Sequence, residues 1–229
     1  MILFKVQNVS FVSQQHTIVN NVSFEIEKGS INEFHGPSGG GKSTLLKLTA
    51  GILIPTQGSV LYNNKDIQTM TRSEDLHFRK ECSFVFQDSA LWANQTILQN
   101  IQLPLQIHFP KMSAGERSER INAVCAKVGY DKDLNVRPSD LSAGEQKKIA
   151  LARALVSEPQ TLFLDECTSS LDDGSAKVVT HLLHQYVSDG NTIVYISHNE
   201  KFRWEFPGLL FEVNNGQVQE KAIDIDDLR

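Results

Sequence analysis

A glycine-rich segment that leads into a lysine and a serine is the part of this sequence most suited to chemistry. It reads Gly36-Pro37-Ser38-Gly39-Gly40-Gly41-Lys42-Ser43, with Thr44 next, and fits the pattern G-x-x-x-x-G-K-S. Glycines allow successive backbone N–H groups to point at one phosphate, and the start of a following helix adds partial positive charge. We expect this loop to hold a nucleotide, with Lys42 neutralising the β- and γ-phosphates and the Ser43 hydroxyl on Mg²⁺.

Two adjacent carboxylates follow an apolar run later in the chain. Thr161-Leu162-Phe163-Leu164 leads directly into Asp165 and Glu166. Successive side chains of a strand point in opposite directions, so the two acids can have different roles. One can hold Mg²⁺, and the other can polarise the water that attacks the γ-phosphate. We predict that Asp165 is the metal ligand and Glu166 the catalytic base.

The elements that position these motifs follow from the spacing of apolar residues and turn formers. Strand patterns precede the glycine loop and a helix pattern follows it, which is the context that the loop requires. The acids begin a second strand–helix–strand unit, which predicts parallel pairing. Asn214-Asn215-Gly216 predicts a hairpin, and the tail from Lys221 to Arg229 is acidic. The predicted strands are 3–9, 19–27, 30–35, 59–62, 161–164 and 192–196, and the predicted helices are 43–50 and 175–187.

Residues 88–158 differ in character from the rest of the chain. They show long helical patterns with turn signals at Pro104, Pro110, Gly129 and Pro138. This predicts an inserted helical subdomain, with 1–87 and 159–229 forming the core of one domain that spans 1–229.

Composition excludes several classes of protein. Of the 229 residues 40% are hydrophobic, which is typical of a globular domain. The formal net charge of -5 and the lack of a basic cluster beyond Lys147-Lys148 argue against nucleic-acid binding. No apolar run reaches the roughly 20 residues that span a bilayer. The start of the sequence lacks the features of a signal peptide, so we expect a cytosolic protein with reduced thiols.

Taken together, the motifs resemble those of the ATP-binding-cassette (ABC) transporter ATPases. Leu141-Ser142-Ala143-Gly144-Glu145 is similar to the family signature L-S-G-G-Q, and the residues after it match the usual continuation. Gln87 resembles the Q-loop glutamine, Ser170-Leu171-Asp172 the D-loop, and His198 the switch histidine. The resemblance covers essentially the whole chain. It implies an α/β fold, in which a P-loop ATPase core with a mixed sheet carries an N-terminal antiparallel β part and an inserted helical subdomain.

The resemblance also implies a mechanism and partners. ATP and Mg²⁺ are the expected cofactors, with Gln87 as a metal ligand beside Ser43 and Asp165, and with Gln87 and His198 as catalytic residues beside Glu166. Ser142, Gly144 and Asp172 are expected at the nucleotide of a second copy, in a head-to-tail homodimer. A separate integral membrane permease is implied, which would place the protein on the cytoplasmic face of the inner (plasma) membrane.

The sequence departs from the family pattern at several positions. Ala143 and Glu145 replace a Gly and the Gln of the signature, and Cys167 stands where Pro is usual. Cys167 could be a site of oxidation, but a small space-filling residue is the preferred interpretation. The aromatic residue that normally stacks on adenine is missing at Ser13, and Phe11 or His16 are the alternatives.

A second pentapeptide nearly repeats the signature. Met112-Ser113-Ala114-Gly115-Glu116 differs from it only in its first residue, but its continuation and its distance from Asp165 do not fit the family. We predict that Ser113 does not contact nucleotide.

The transported substrate is the least determined feature. Residues 88–92 and 100–105 resemble the ATPases of bacterial Mce-type lipid trafficking and, more loosely, lipoprotein-releasing and metal-exporting cassettes. Lipid is therefore the preferred substrate. A cassette that signals through a membrane partner without transport, as in cell division, is an alternative, and a soluble repair or translation cassette is disfavoured. Trp92, just after the Q-loop, is expected either in the core or at the permease interface.

Overall fold

The computed structural model describes residues 1–221, which form two β-sheets and a set of helices. The acidic tail noted above lies, from residue 222 onward, outside the described residues. The strands are β1 (Ile2–Ser13), β2 (His16–Glu27), β3 (Ile31–His35), β4 (Gln57–Tyr62), β5 (Lys65–Asp66), β6 (Cys82–Val85), β7 (Thr161–Asp165), β8 (Thr192–Ile196), β9 (Leu209–Asn214) and β10 (Gln217–Lys221). The helices are α1 (Lys42–Thr49), α2 (Arg72–Glu81), α3 (Ile97–His108), α4 (Ala114–Lys127), α5 (Ala143–Leu155), α6 (Asp173–Ser188) and α7 (Glu200–Glu205).

The N-terminal sheet is antiparallel, in the order β2-β1-β4-β5. Its inner face is built from alternating apolar residues such as Phe4 and Val6, which are buried, as period-2 patterning requires. This face belongs to the same core as Leu45 and Leu46 of α1. The sheet thereby packs against the helix that follows the glycine loop.

The second sheet is mixed, in the order β10-β9-β3-β8-β7-β6. The strands β3 and β6 to β9 pair in parallel, and β10 closes an antiparallel hairpin with β9. All five residues of β7 and of β8 are buried, as expected for parallel strands covered on both faces. Because β3, β8 and β7 are neighbours, the loops at their carboxyl ends meet at one edge of the sheet.

Three helices of the segment 88–158 begin with the same capping motif. Thr96, Ser113 and Ser142 are the N-cap residues of α3, α4 and α5, each in a reciprocal capping box with the third residue of the helix. The buried faces of these helices form one core together with β7.

The predicted fold class is confirmed, and each predicted strand and helix exists to within a few residues. The subdomain boundaries at 88 and 158 stay a prediction. The turn expected at Pro104 is wrong, because α3 continues through it. A helix-interior proline forfeits one backbone hydrogen bond, but Ile97, Ile101 and Leu105 are fully buried on one face and hold the helix together. The helices α2 and α7 were not anticipated from the sequence.

Candidate functional site

The glycine loop lies between β3 and α1 and is held in shape by contacts that only glycine permits. A Cβ on Gly36, whose φ is 140°, would lie 2.1 Å from the Val213 carbonyl oxygen. Gly41 is the N-cap of α1 with φ of 101°, and a Cβ there would lie 2.8 Å from the Ile18 carbonyl oxygen. These positions bring β2 and β9 against the loop, which lines a cavity of about 320 Å³.

The Lys42 side chain closes this loop from within. Its Nζ donates hydrogen bonds to the carbonyl oxygens of Gly36 (2.8 Å) and Pro37 (2.9 Å). Burial lowers the pKa of the Lys42 ammonium, and the nearby carboxylates of Glu166 and Asp165 oppose that shift. A cation already aimed along the loop is well placed to meet phosphate oxygens.

Ser43 and Asp165 come together from elements far apart in the sequence. The Ser43 Oγ donates a hydrogen bond to Asp165 Oδ1 over 3.2 Å. Burial raises the pKa of the Asp165 carboxyl, while this hydrogen bond opposes the rise. A hydroxyl and a carboxylate at this separation are hard oxygen donors of the kind that Mg²⁺ prefers.

Glu166 lies beside Asp165 in a strained conformation. Its φ is 55°, in the left-handed region that side-chain-bearing residues rarely adopt. One carboxylate oxygen, Oε2, accepts a hydrogen bond from the His198 backbone N–H (3.3 Å). The other, Oε1, is buried without a hydrogen-bond partner and lies 3.6 Å from His198 Nε2. An orphaned buried carboxylate oxygen at the cavity is what a water-binding base requires.

Gln87 joins the same cavity from the loop after β6. Its carbonyl oxygen accepts a hydrogen bond from the Nζ of Lys147, and so does that of Phe86. Lys147 lies on α5 and is only 3% exposed. In the sequence, Lys147 is recognisable only as part of the basic pair Lys147-Lys148, and nothing there predicts its contact with the Gln87 loop.

The predicted site residues fall into two groups. One group lines the cavity and the other lies outside it. Those that line it are Ser38, Gly39, Gly41, Lys42, Ser43, Thr44, Gln87, Asp165, Glu166 and His198. Gly36, Pro37 and Gly40 shape the loop from behind, whereas Ser142, Gly144 and Asp172 lie elsewhere on the chain.

The start of α5 contains Ser142, the centre of the signature-like pentapeptide. Glu145 Oε2 accepts hydrogen bonds from the backbone N–H and the hydroxyl of Ser142, each over 2.8 Å. Glu145 also forms an ion pair with Lys132, and this contact is the main reason that the pKa of Glu145 is lowered to about 2. Glu145, which replaces the usual Gln of the signature, is therefore charged, and Lys132 is its counter-ion.

The two similar pentapeptides have the same cap geometry but different surroundings. Ser113 caps α4 as Ser142 caps α5, so the two serines do not differ in having a helix N-terminus. The difference lies in the glycines. A Cβ on Gly144 would lie 2.8 Å from the Ser170 carbonyl oxygen, whereas Gly115 has open space around it. Only the second pentapeptide packs against the loop that follows Glu166.

Asp172 has a local structural role in this chain. It is the N-cap of α6, where Oδ1 accepts from the Ser175 backbone N–H (2.9 Å) and Oδ2 from the Ser175 hydroxyl (2.8 Å). These hydrogen bonds lower the pKa of the Asp172 carboxyl. The residue is exposed, so the surface around it is free to meet another molecule.

Ile18 is a cavity residue that the sequence analysis missed. It lies on β2 and lines the cavity beside Gly41. The alternatives considered for an adenine contact lie elsewhere: Phe11 packs against the core, and His16 is exposed at the hairpin turn. A lone aliphatic residue in a strand carries no sequence signal for such a role.

Cys167 is buried, and burial raises the pKa of its thiol to about 12. A protonated, inaccessible thiol is a poor nucleophile. This supports the space-filling interpretation of Cys167 over the oxidation hypothesis.

A glycine loop between a parallel strand and a helix, facing a lysine, a serine and two acids, defines a P-loop nucleotide-binding protein. Comparison of the sequence with known protein families shows which family of P-loop proteins the chain belongs to. The sequence profile described as "ABC transporter" matches residues 19–169. The chain belongs to the ABC transporter family, as an ATP-binding and hydrolysing subunit.

Two curated relatives and one solved structure illustrate the likeness. The chain is 38% identical to the lipoprotein-releasing system ATP-binding protein LolD of Buchnera aphidicola subsp. Schizaphis graminum, over 87% of each chain. It is 32% identical to the methionine import ATP-binding protein MetN of Escherichia coli, over 96% of this chain and 65% of MetN. The dimeric ATP-binding cassette MJ0796, in a post-hydrolysis state bound to ADP and Pi, superimposes with a TM-score of 0.89 at 29% identity over 99% of both chains.

Proposed function

We propose that this chain hydrolyses ATP as a head-to-tail dimer and drives transport through a separate membrane permease. Each ATP then lies between the glycine loop of one copy and Ser142 and Gly144 of the other. The observation that carries this proposal is that Ser142 caps an exposed helix start outside the chain's own nucleotide cavity, while Gly144 beside it packs against the loop after Glu166, a contact that the similar cap at Ser113 lacks. A helix N-terminus with a free approach favours a phosphate supplied by another molecule. The dimeric state of the MJ0796 cassette bound to ADP and Pi supports a dimer as the hydrolysing form.

Within this proposal the cavity residues have distinct roles. The loop from Gly36 to Thr44 binds the phosphates, with Lys42 on the β- and γ-phosphates. Ser43, Asp165 and Gln87 are the proposed ligands and near neighbours of Mg²⁺, whose chemical contribution is to neutralise charge on the phosphate oxygens.

Glu166 is the proposed general base, and His198 the proposed contact to the γ-phosphate. The Glu166 Oε1 atom lacks a hydrogen-bond partner, so it can accept one from a water and draw its proton as that water attacks. The 3.6 Å between this oxygen and His198 Nε2 supports a shared approach of both side chains to that water.

The decisive experiment uses Glu166→Gln. The amide keeps the shape of the side chain but cannot take a proton, so hydrolysis should fall by about 10²-fold or more. ATP binding should persist, and the variant should elute as a dimer in size-exclusion chromatography with ATP. A variant that stays monomeric with ATP while hydrolysing at the wild-type rate contradicts the proposal.

The permease is proposed to dock on a groove beside the Q-loop. This groove encloses about 460 Å³ and is lined by residues that include Ile52, Phe84, Phe86, Trp92 and Leu103. Trp92 is 50% exposed, so the core alternative for it is wrong. An exposed aromatic residue at the rim of an apolar groove is typical of a protein interface. Within residues 1–221 the structure contains no helix with the length and apolarity of a bilayer span.

The proposed location follows from the docking site. Binding to a permease would hold the protein peripherally on the inner membrane.

A matched pair of variants tests this docking site. Trp204 on α7 is 53% exposed and does not line the groove. Trp92→Ser should reduce co-purification with the co-expressed permease, whereas Trp204→Ser should not. Equal retention by both variants would exclude this groove as the interface.

Lipid or a lipid-modified protein is the proposed substrate class. The support is the sequence similarity after the Q-loop and the 38% identity to LolD. The test is the ATPase rate of the complex with its permease in the presence of phospholipid, a lipidated peptide or methionine. Stimulation by methionine alone would contradict the lipid proposal, and a lack of stimulation by any cargo would favour signalling without transport.

A further inference from the structure

Two cations on α5 hold the backbone of the loop that carries Gln87. Lys147 Nζ donates to the carbonyl oxygens of Gln87 (2.6 Å) and Phe86 (3.3 Å). Arg153, two turns further along, donates to the carbonyl oxygens of Ser89 (2.9 Å) and Ala90 (2.8 Å). Four carbonyl groups in the segment 86–90 are thus bound to one helix.

The environment of Lys147 shows that this contact is more than incidental packing. The residue is 3% exposed, and its hydrogen bonds within the described chain all go to backbone carbonyls. Burying an ammonium without a paired carboxylate costs free energy, and burial indeed lowers the pKa of Lys147. The carboxylates of Asp165, Asp88 and Glu166 lie near enough to offset part of this cost. The hydrogen bonds that hold the Gln87 loop therefore explain best why a charged ammonium group is buried at this position.

We infer that Lys147 is a positioning residue for Gln87, holding the Q-loop so that the Gln87 side chain reaches the nucleotide cavity. The inference rests on the proposed role of Gln87 near Mg²⁺. Lys147 is not among the residues that line the cavity to which Gln87 contributes. It acts through the backbone of residues 86 and 87 and touches no reacting atom.

The position of Lys147 on its helix gives this contact a further consequence. The helix α5 begins at Ser142, the residue proposed to meet the partner's ATP, and Lys147 lies on the second turn. A rigid helix that moves when the partner's ATP binds will carry the Q-loop with it. The groove is lined by Phe86 and Ala90, which lie within the segment that Lys147 and Arg153 hold, and by Trp92 just after it.

The test compares Lys147→Met with Lys148→Met. Methionine is unbranched and only one atom shorter than lysine, but it has no hydrogen-bond donor. Lys148 is the adjacent residue and donates to the Gly129 carbonyl oxygen, away from the Q-loop. Hydrogen–deuterium exchange of residues 86–90 is measured on the nucleotide-free protein. We expect exchange in that segment to rise about tenfold in Lys147→Met, the effect of losing hydrogen bonds to a charged donor, and to stay at the wild-type rate in Lys148→Met.

A second readout follows the metal and not the reaction rate. Binding of a fluorescent ATP analogue is titrated with Mg²⁺ and, separately, in EDTA. Lys147→Met should raise the Mg²⁺ concentration at half-maximal enhancement of binding several-fold, whereas binding in EDTA should match wild type because the glycine loop does not contact Lys147. Lys147→Gln keeps an uncharged NH₂ donor group and should fall between wild type and Lys147→Met in both readouts.

The possible results distinguish a failure of the positioning role of Lys147 from a failure of the proposed role of Gln87. Unchanged exchange at 86–90 in Lys147→Met, or a uniform rise across the whole chain, overturns the positioning role. If that variant does not fold, Lys147→Gln replaces it, and wild-type behaviour of this variant in both readouts overturns the inference equally. Altered exchange at 86–90 with an unchanged Mg²⁺ dependence would keep the contact but refute the proposed role of Gln87.

Discussion

At the residue scale, the most informative departure from the family pattern is Glu145. It places a carboxylate within reach of the Ser142 hydroxyl, at the helix start where we propose that the partner's γ-phosphate binds. Two like charges there would repel, but Lys132 forms an ion pair with Glu145. Hydrogen bonds from Lys132 and Ser142 lower the pKa of Glu145 to about 2, so this carboxylate stays charged well below neutral pH with Lys132 as its counter-ion.

This balance makes Lys132 a testable residue. Lys132→Ala should weaken ATP-driven dimerisation, because the uncompensated Glu145 carboxylate then faces the partner's phosphates. Adding Glu145→Gln should restore dimerisation, since the amide can still accept from Ser142 without a charge. Size-exclusion chromatography with ATP in the Glu166→Gln background measures both effects. Equal dimerisation in all these variants would show that Glu145 lies away from the phosphates.

At the scale of the element, α4 and α5 share a capping sequence, a cap geometry and a glycine at the second helical position. Only α5 packs that glycine against the Ser170 carbonyl and holds the Q-loop through Lys147. A helix N-terminus is therefore not enough to define a phosphate site, because the surroundings decide which one a partner can reach.

Matched substitutions at the two caps test this distinction. Ser142→Arg and Ser113→Arg each remove one N-cap, at a similar cost to stability of about 1 kcal/mol. We expect Ser142→Arg to abolish ATP-driven dimerisation and hydrolysis through bulk at a phosphate contact. Ser113→Arg should keep hydrolysis within about twofold of wild type, with circular dichroism confirming that both are folded. The opposite result would place the trans-acting signature in the first pentapeptide.

At the scale of the whole molecule, the strand order brings three loops to one edge of the mixed sheet. The site that these loops form is only half of the nucleotide site that we propose. The glycine loop, the two acids and His198 meet there, while Ser142 and Gly144 lie apart from them. A second copy in head-to-tail orientation would supply the missing half twice, as a closed symmetric dimer requires.

This incompleteness predicts how hydrolysis depends on protein concentration. Because a single copy lacks half of each site, the ATPase rate per subunit should rise with concentration and level off once dimers predominate. The measurement is a steady-state ATPase assay over a dilution series, with the oligomeric state followed in parallel. A constant rate per subunit where the protein is monomeric would refute the shared site.

The sequence by itself determined the features that depend on neighbours in the chain. The glycine loop and the alternating strands can be predicted because each is specified within a few residues. The strand–helix–strand order from Thr161 to Ile196 likewise determined that β7 and β8 pair in parallel.

Only the tertiary structure decided which residues meet across long separations. Lys147 reaches the Gln87 carbonyl from 60 positions away, and Ser43 reaches Asp165 across 122. It also decided that α3 runs through Pro104, that Ile18 lines the cavity, and that Gly144 but not Gly115 is in close contact with another loop. The physical reason is that burial and close approach depend on which surfaces pack together, and a local pattern such as Ser-Ala-Gly-Glu is the same in both places.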